Sequence, residues 1–197
     1  MKFLAFADMH GNRKQLEKLV RRAKKEKVDF IVCAGDISIF ERRLNEMLSV
    51  LGKSKLPVFI IPGNHESDSL LAKLSKKHKL FFLHKKIFEI DGFFIAGFGG
   101  GGFSLTDRDF EKTAKKFYKV FKKNRNFILI THAPPYRTKV DLIGRSHCGN
   151  KSIANFIKLS QPLVAISGHL HETEGKKDKI GKTLVVNPGM KGMVIEL

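Results

Sequence analysis

The chain has 197 residues, 42% of them hydrophobic, and its 37 Lys and Arg outnumber 19 Asp and Glu, for a formal charge of +18. That size suits one compact domain over 1–197, with no Pro- or Ser-rich linker to divide it, and an excess of cations this large favours anionic partners. Two cysteines, Cys33 and Cys148, give no support to a disulfide framework and point to a reducing cytoplasm; no apolar run nears the ~18 residues of a membrane helix, and Asp8 and His10 cut the apolar start of MKFLAFADMH below the ~7–15 residues of a signal-peptide core.

Hydrophobic periodicity predicts a strand over 2–7, a helix over 12–27, a strand over 29–34, a helix over 40–52, a strand over 57–61 and a helix over 67–78. Repeated strand–helix units argue for parallel pairing. A hairpin follows, 87–90 and 93–96, because Asp91-Gly92 supplies the positive φ angles of a type I′ turn. A helix over 107–123, a strand over 127–131, a helix over 150–160 and a strand over 163–167 come next. Closing strands near 172–176, 180–186 and 191–196 are expected to complete a second sheet. Periodicity by itself yields no more than an α/β class.

The basic residues fall in separate runs, Arg21 to Lys27, Lys73 to Lys79, Lys112 to Lys123 and Lys176 to Lys182, at spacings that suit solvent faces of helices or a hairpin loop. Such a field steers anionic substrates and retains polyanions, nucleic acid included, but does not make a nuclease. Phe117, Tyr118 and Phe121 among these lysines fit a buried helical stripe better than a stacking platform for bases. Gly97 to Gly102 formally matches G-x-G-x-x-G, yet no βαβ unit or acidic ribose partner accompanies it. It reads as a turn that lets backbone approach a crevice.

Six short runs carry the chemistry: Asp8-Met9-His10, Gly35-Asp36, Gly63-Asn64-His65-Glu66, Thr131-His132, Gly168-His169-Leu170-His171 and Asn187-Pro188-Gly189, each after an apolar run. Five of the eight histidines stand at predicted strand ends; His78, His84 and His147 do not. In an open α/β sheet, positions beyond the carboxyl ends of strands converge on one crevice. Asp, Asn and His are donors that borderline and hard divalent ions accept. Singly, each has a plainer use: Asp8 as a helix N-cap, His132 as a histidine at a turn, His169 and His171 as exposed residues of an extended segment.

Together and in this order the runs resemble the calcineurin-like metallophosphoesterase superfamily, whose signature is D-x-H, G-D, G-N-H-[DE], H and G-H-x-H, and within it the compact phosphodiesterase branch. The resemblance implies a four-layer α/β/β/α sandwich of two mixed sheets with flanking helices. It implies that Asp8, His10 and His171 hold one divalent metal, that Asn64, His132 and His169 hold a second, and that Asp36 bridges the two. Mn²⁺ is the first expectation, with Ni²⁺, Co²⁺, Fe or Zn²⁺ as alternatives. A metal-bridging hydroxide would attack a phosphate ester in line while His65 protonates the leaving alkoxide. Asn64 and His65 would then touch substrate, and Arg145 and His147, in the loop after Thr131-His132-Ala133-Pro134-Pro135, are candidates for phosphate or leaving-group contacts. The protein Ser/Thr phosphatase branch extends Gly-Asp to G-D-x-x-D-R-G, whereas Ile39 stands at its second Asp, so phosphodiesters are expected before phosphoproteins. What orients His65 is open at this point. Two further classes stay in view: a DNA or RNA nuclease on the same scaffold, and an interaction module that keeps the fold without the reaction.

Overall fold

The computed structural model describes residues 1–124 and 126–197. Apolar runs alternating with amphipathic ones fold as β1 (Lys2–Phe6), α1 (Arg13–Lys25), β2 (Phe30–Cys33), α2 (Leu44–Gly52), β3 (Val58–Ile60), α3 (Asp68–Lys77) and the short β4 (Phe81–Phe82). Strands β1 to β4 pair in parallel in that order. Strands β2 and β3 are buried throughout, which is why they read as unbroken apolar runs without alternation.

The second half begins with the hairpin β5 (Lys86–Ile90) and β6 (Phe93–Phe98), closed by Asp91 and Gly92 at φ 49° and 77°. It continues through α4 (Arg108–Phe121), β7 (Phe127–Thr131), β8 (Leu142–Ile143), β9 (Ser146–His147), α5 (Lys151–Ser160), β10 (Val164–Ile166), β11 (Lys177–Ile180), β12 (Thr183–Val186) and β13 (Met193–Glu196). The sheets run β13-β1-β2-β3-β4 and β11-β12-β10-β7-β6-β5, with β8-β9 as a separate pair.

Three apolar layers glue four structural ones. Leu16, Leu19, Met47, Leu51 and Leu71 pack α1, α2 and α3 on the outer face of the first sheet, and Phe110, Phe117, Phe121 and Ile157 pack α4 and α5 on that of the second. Between the sheets, Phe3, Phe30 and Val32 meet Ile128, Ile130 and Ile166. Phe117 and Phe121 are buried as the helical stripe requires. No helix among the described residues is long and apolar enough to cross a membrane.

Four local expectations are corrected. Residues 40–43 are not helical: Phe40, Glu41 and Arg43 adopt φ of 46°, 64° and 60°, and α2 begins at Leu44. There the chain serves tertiary partners instead, since Glu41 Oε1 accepts the Ser67 N–H at 2.9 Å. The expected strand over 172–176 is a single 3₁₀ turn, His171–Thr173, because Asn187 Nδ2 donates to both Leu170 O and Thr173 Oγ1 at 2.9 Å and fixes the bend. The stretch 180–186 divides at Gly181 into the ends of an antiparallel pair, β11 and β12. Finally, β13 joins the first sheet, antiparallel to β1, after the turn at Pro188-Gly189 redirects the chain; Ala7 N–H donates to Gly189 O at 3.1 Å.

Candidate metal centre

Loops after β1, β2, β3, β7 and β10 bring the candidate ligands to one crevice. Those after β1 and β2 are laced together, Asp8 N–H to Gly35 O at 3.1 Å and His10 N–H to Asp36 O at 3.0 Å, and those after β7 and β10 are joined by Gly168 N–H to His132 O at 3.0 Å. Hydrogen bonds also cross between the sheets. His132 Nδ1 meets Ala34 O at 2.9 Å, and the His169 N–H reaches both Asp8 carboxylate oxygens at 3.0 Å.

Glycine permits this approach at two motif positions. A Cβ on Gly63 would land on the Asp36 carboxylate, and one on Gly35, at φ +97°, would sit 2.5 Å from His132 Nδ1. The ligand side chains themselves carry backbone strain: Asp8, His10, Asp36 and His169 have φ of 55°, 45°, 50° and 71°. Left-handed backbone costs an L-residue about 1–2 kcal/mol, less for Asp and His than for most, and it concentrates at functional sites.

Ligand atoms of Asp8, His10 and His171 lie within 4.8 Å of one another, as do those of Asp8, Asp36 and His132, and those of His10, Asp36 and His65. Asn64 Oδ1 faces His132 Nε2 at 3.1 Å and His169 Nδ1 at 3.0 Å. All seven candidate ligands are therefore neighbours, with His65 beside them, Nε2 3.8 Å from Asp36 Oδ2.

The donor chemistry fits divalent cations. His132 gives its Nδ1 proton to Ala34 O, so the Nε2 lone pair of the neutral ring points at Asn64 Oδ1 and, at 3.4 Å, at Asp36 Oδ2. His10 Nε2 faces His171 Nε2 at 2.9 Å, and His169 Nε2 is buried with no hydrogen-bond partner. Electron pairs aimed at one another suit a cation between them, or failing that a proton. The protonation of the protein alone follows this logic. Burial pushes the Asp8 carboxyl up to about 6, against the opposing charge of His132. Burial opposes the charged forms of Asp36 and His132 too, but their mutual bond outweighs it, lowering Asp36 and raising His132. Burial, helped by the His132 charge, holds His169 down at about 4.

Several supporting residues escaped the sequence. Glu66, the last residue of Gly-Asn-His-Glu, is buried and accepts from Asp36 N–H (3.1 Å), Gly63 N–H (3.0 Å), Ser38 N–H (2.9 Å) and Ser38 Oγ (2.7 Å). Its place in the motif was visible; its job of tying two ligand loops together was not. Phe40 answers what holds His65: its N–H donates to His65 Nδ1 at 3.3 Å, and the two rings lie 4.4 Å apart. Asp141, fully buried, accepts from His147 Nδ1 at 2.7 Å and from the Thr138 and Gly149 N–H groups. Arg145 and His147 are not among the clustered ligands. They lie on the β8–β9 hairpin, and Val140, in the turn that leads into it, accepts from Thr173 Oγ1 of the turn His171–Thr173 at 2.9 Å.

The family model for calcineurin-like phosphoesterases matches residues 1–173. An uncharacterized protein of Methanocaldococcus jannaschii, MJ1162, is 31% identical over 206 residues, covering 99% of this chain and 91% of that protein. Among solved structures, TT1561 of Thermus thermophilus superposes with a TM-score of 0.78 at 21% identity, over 96% of this chain and 90% of that one. A dimetal phosphatase from Danio rerio superposes with a TM-score of 0.71 at 13% identity, over 96% and 88%. The two structural likenesses are likenesses of fold.

Proposed function

Because the chain belongs to the calcineurin-like phosphoesterase family, we propose that it hydrolyses phosphate esters, phosphodiesters before phosphoproteins, at a pair of divalent cations. Asp8, His10 and His171 would hold one ion, Asn64, His132 and His169 the other, with Asp36 shared. The observation that carries this is the convergence of seven Asp, Asn and His side chains whose lone pairs face one another. A nitrogen and oxygen donor set without thiolate suits Mn²⁺ first, with Ni²⁺, Co²⁺, Fe or Zn²⁺ as alternatives. When bound, such a pair supplies Lewis acidity to phosphoryl oxygens and acidifies a water for attack.

The chain's own residues do the rest. Phe40 N–H, 3.3 Å from His65 Nδ1, orients the ring with Nε2 on the Asp36 side. His65 would give the Nε2 proton of its imidazolium to the leaving oxygen and end as the neutral ring that accepts from Phe40 N–H, a role typically contributing ~10²–10⁴-fold. Asn64 would orient the phosphoryl group from the adjacent position. His147, steadied through Nδ1 by Asp141, and Arg145 at the hairpin tip would meet the outer part of the substrate. Ile39 in place of a second motif Asp favours diesters over phosphoproteins. The charge of +18 favours one other reading, a nuclease on the same scaffold.

The test is hydrolysis of bis-p-nitrophenyl phosphate and p-nitrophenyl phosphate by protein stripped of metal and then titrated with Mn²⁺, Ni²⁺, Co²⁺ or Zn²⁺. Restored turnover, faster on the diester, is expected; silence with every ion ends the proposal. His65→Ala should keep its metal and lose at least about 100-fold in kcat, whereas equal metal loss in His65→Ala and Asp36→Asn would contradict the role given to His65. Cleavage of labelled oligonucleotides at rates above the aryl diester would move the assignment to a nuclease.

A further inference from the structure

Half of the large apolar side chains exposed among the described residues sit on two loops at the metal crevice. Ile39 and Phe40, 42% and 73% exposed, follow β2; Phe103 and Leu105, 68% and 47% exposed, follow β6. The loops belong to different sheets, more than sixty residues apart, so no local periodicity put them together. Each phenyl ring rests on a different histidine of the cluster, Phe40 on His65 at 4.4 Å and 56°, Phe103 on His169 at 4.6 Å and 61°.

Neither ring hangs on a loose tether. Phe40 is in the left-handed region, where a bulky residue is a true outlier, and its N–H is tied to His65. The second loop is pinned at Gly100 N–H to Pro62 O (3.0 Å), at Ser104 O by Asn150 Nδ2 (2.8 Å), and at Leu105 O by the Lys151 N–H (2.7 Å). Strain and anchoring here hold apolar rings at the surface and not in a core. They make sense where a ligand covers the rings, because sites of this kind combine apolar walls with a few polar groups that fix orientation.

We infer that Phe40 and Phe103 are specificity-determining walls that select phosphate esters bearing a bulky apolar substituent over small or polar ones, an inference that rests on the phosphoesterase reading of the same crevice. The polar cluster takes the phosphoryl group. The rings take the organic part of the ester, an aryl group with an added edge-to-face preference or an alkyl chain by burial alone.

Calorimetric titration of the Mn²⁺-loaded protein with methyl-, hexyl- and phenylphosphonate tests this without turnover. The phenyl and hexyl compounds should bind about tenfold tighter than the methyl, phenyl above hexyl marking aryl esters and the reverse alkyl esters. Phe40→Ala and Phe103→Ala should each cut that ratio to about threefold or less, Phe103→Leu should restore the hexyl preference, and Leu159→Ala, exposed on α5, should change nothing. Equal affinities in the wild-type protein, or a preference that survives both alanine variants, would overturn the inference. Tighter binding of the apolar phosphonates without hydrolysis of any ester would keep the walls and sink the phosphoesterase reading instead. Capture by anionic phospholipid vesicles that depends on both rings, with no phosphonate preference, would overturn it in favour of a lipid surface.

Discussion

Glu66 shows how much of the candidate centre depends on a side chain that would touch neither metal nor substrate. Its carboxylate gathers three backbone N–H groups and the Ser38 hydroxyl from the loops carrying Asp36 and Asn64. In Glu66→Ala those buried donors lose their acceptor, at about 1–3 kcal/mol for a stranded group before relaxation. A net loss of roughly 3 kcal/mol in urea denaturation is expected, with metal affinity down at least about tenfold as the loops separate. Glu66→Gln, which keeps one accepting oxygen, should fall between. An alanine variant with unchanged urea midpoint and unchanged metal affinity would show that the loops hold themselves.

His84 plays the corresponding part for the glycine-rich loop after β6, accepting the Gly99 N–H on Nδ1 at 2.8 Å while Nε2 stands 3.2 Å from Asp68 Oδ2 on α3. Burial lowers its pKa from the ordinary histidine value, although Asp68, Asp107 and Asp109 pull upward and Lys85 adds to the lowering. A histidine depressed in the folded state is protonated more readily by the unfolded chain, so its contribution is intact above the ordinary value of 6.5 and is lost as pH falls toward the folded one. The drop in urea midpoint between pH 7.5 and 5.5 should therefore be smaller in His84→Asn, whose amide oxygen can still accept from Gly99, than in the wild-type protein. Equal drops would remove His84 from the pH response.

The strands were legible because β2, β3, β7 and β10 are buried on both faces and end directly at ligand motifs, and the helices because capping and stripe agree: Asn12, Asp107 and Asn150 cap α1, α4 and α5 as their side chains accept from the first turn. The pattern failed where distant partners decide. Phe40 to Arg43 had helical composition, but Phe40 N–H goes to His65 and Glu41 to Ser67; His171 to Thr173 looked extended, but Asn187 bends it. The seven candidate ligands could be named from their order along the chain, while Glu66 also reaches Asp36 thirty residues back, Phe40 meets His65 twenty-five residues on and Asp141 meets His147 six residues on, pairings that no local period reveals.

For the molecule as a whole, the crevice is the seam between two sheets. Asp8, His10, Asp36 and Asn64 come from the first and His132, His169 and His171 from the second, each on the loop beyond a strand. Ions shared across that seam would bind the folded chain and not the unfolded one, so their binding energy adds to stability by mass action. A formal charge of +18 would attract anionic esters over long range. The most direct measurement is anomalous diffraction at the manganese edge from Mn²⁺-loaded crystals. Two peaks are expected ~3.5–4 Å apart, one against Asp8, His10 and His171, the other against Asn64, His132 and His169, with the Asp36 carboxylate touching both. A single peak, or two of which Asp36 reaches only one, would contradict the dinuclear centre.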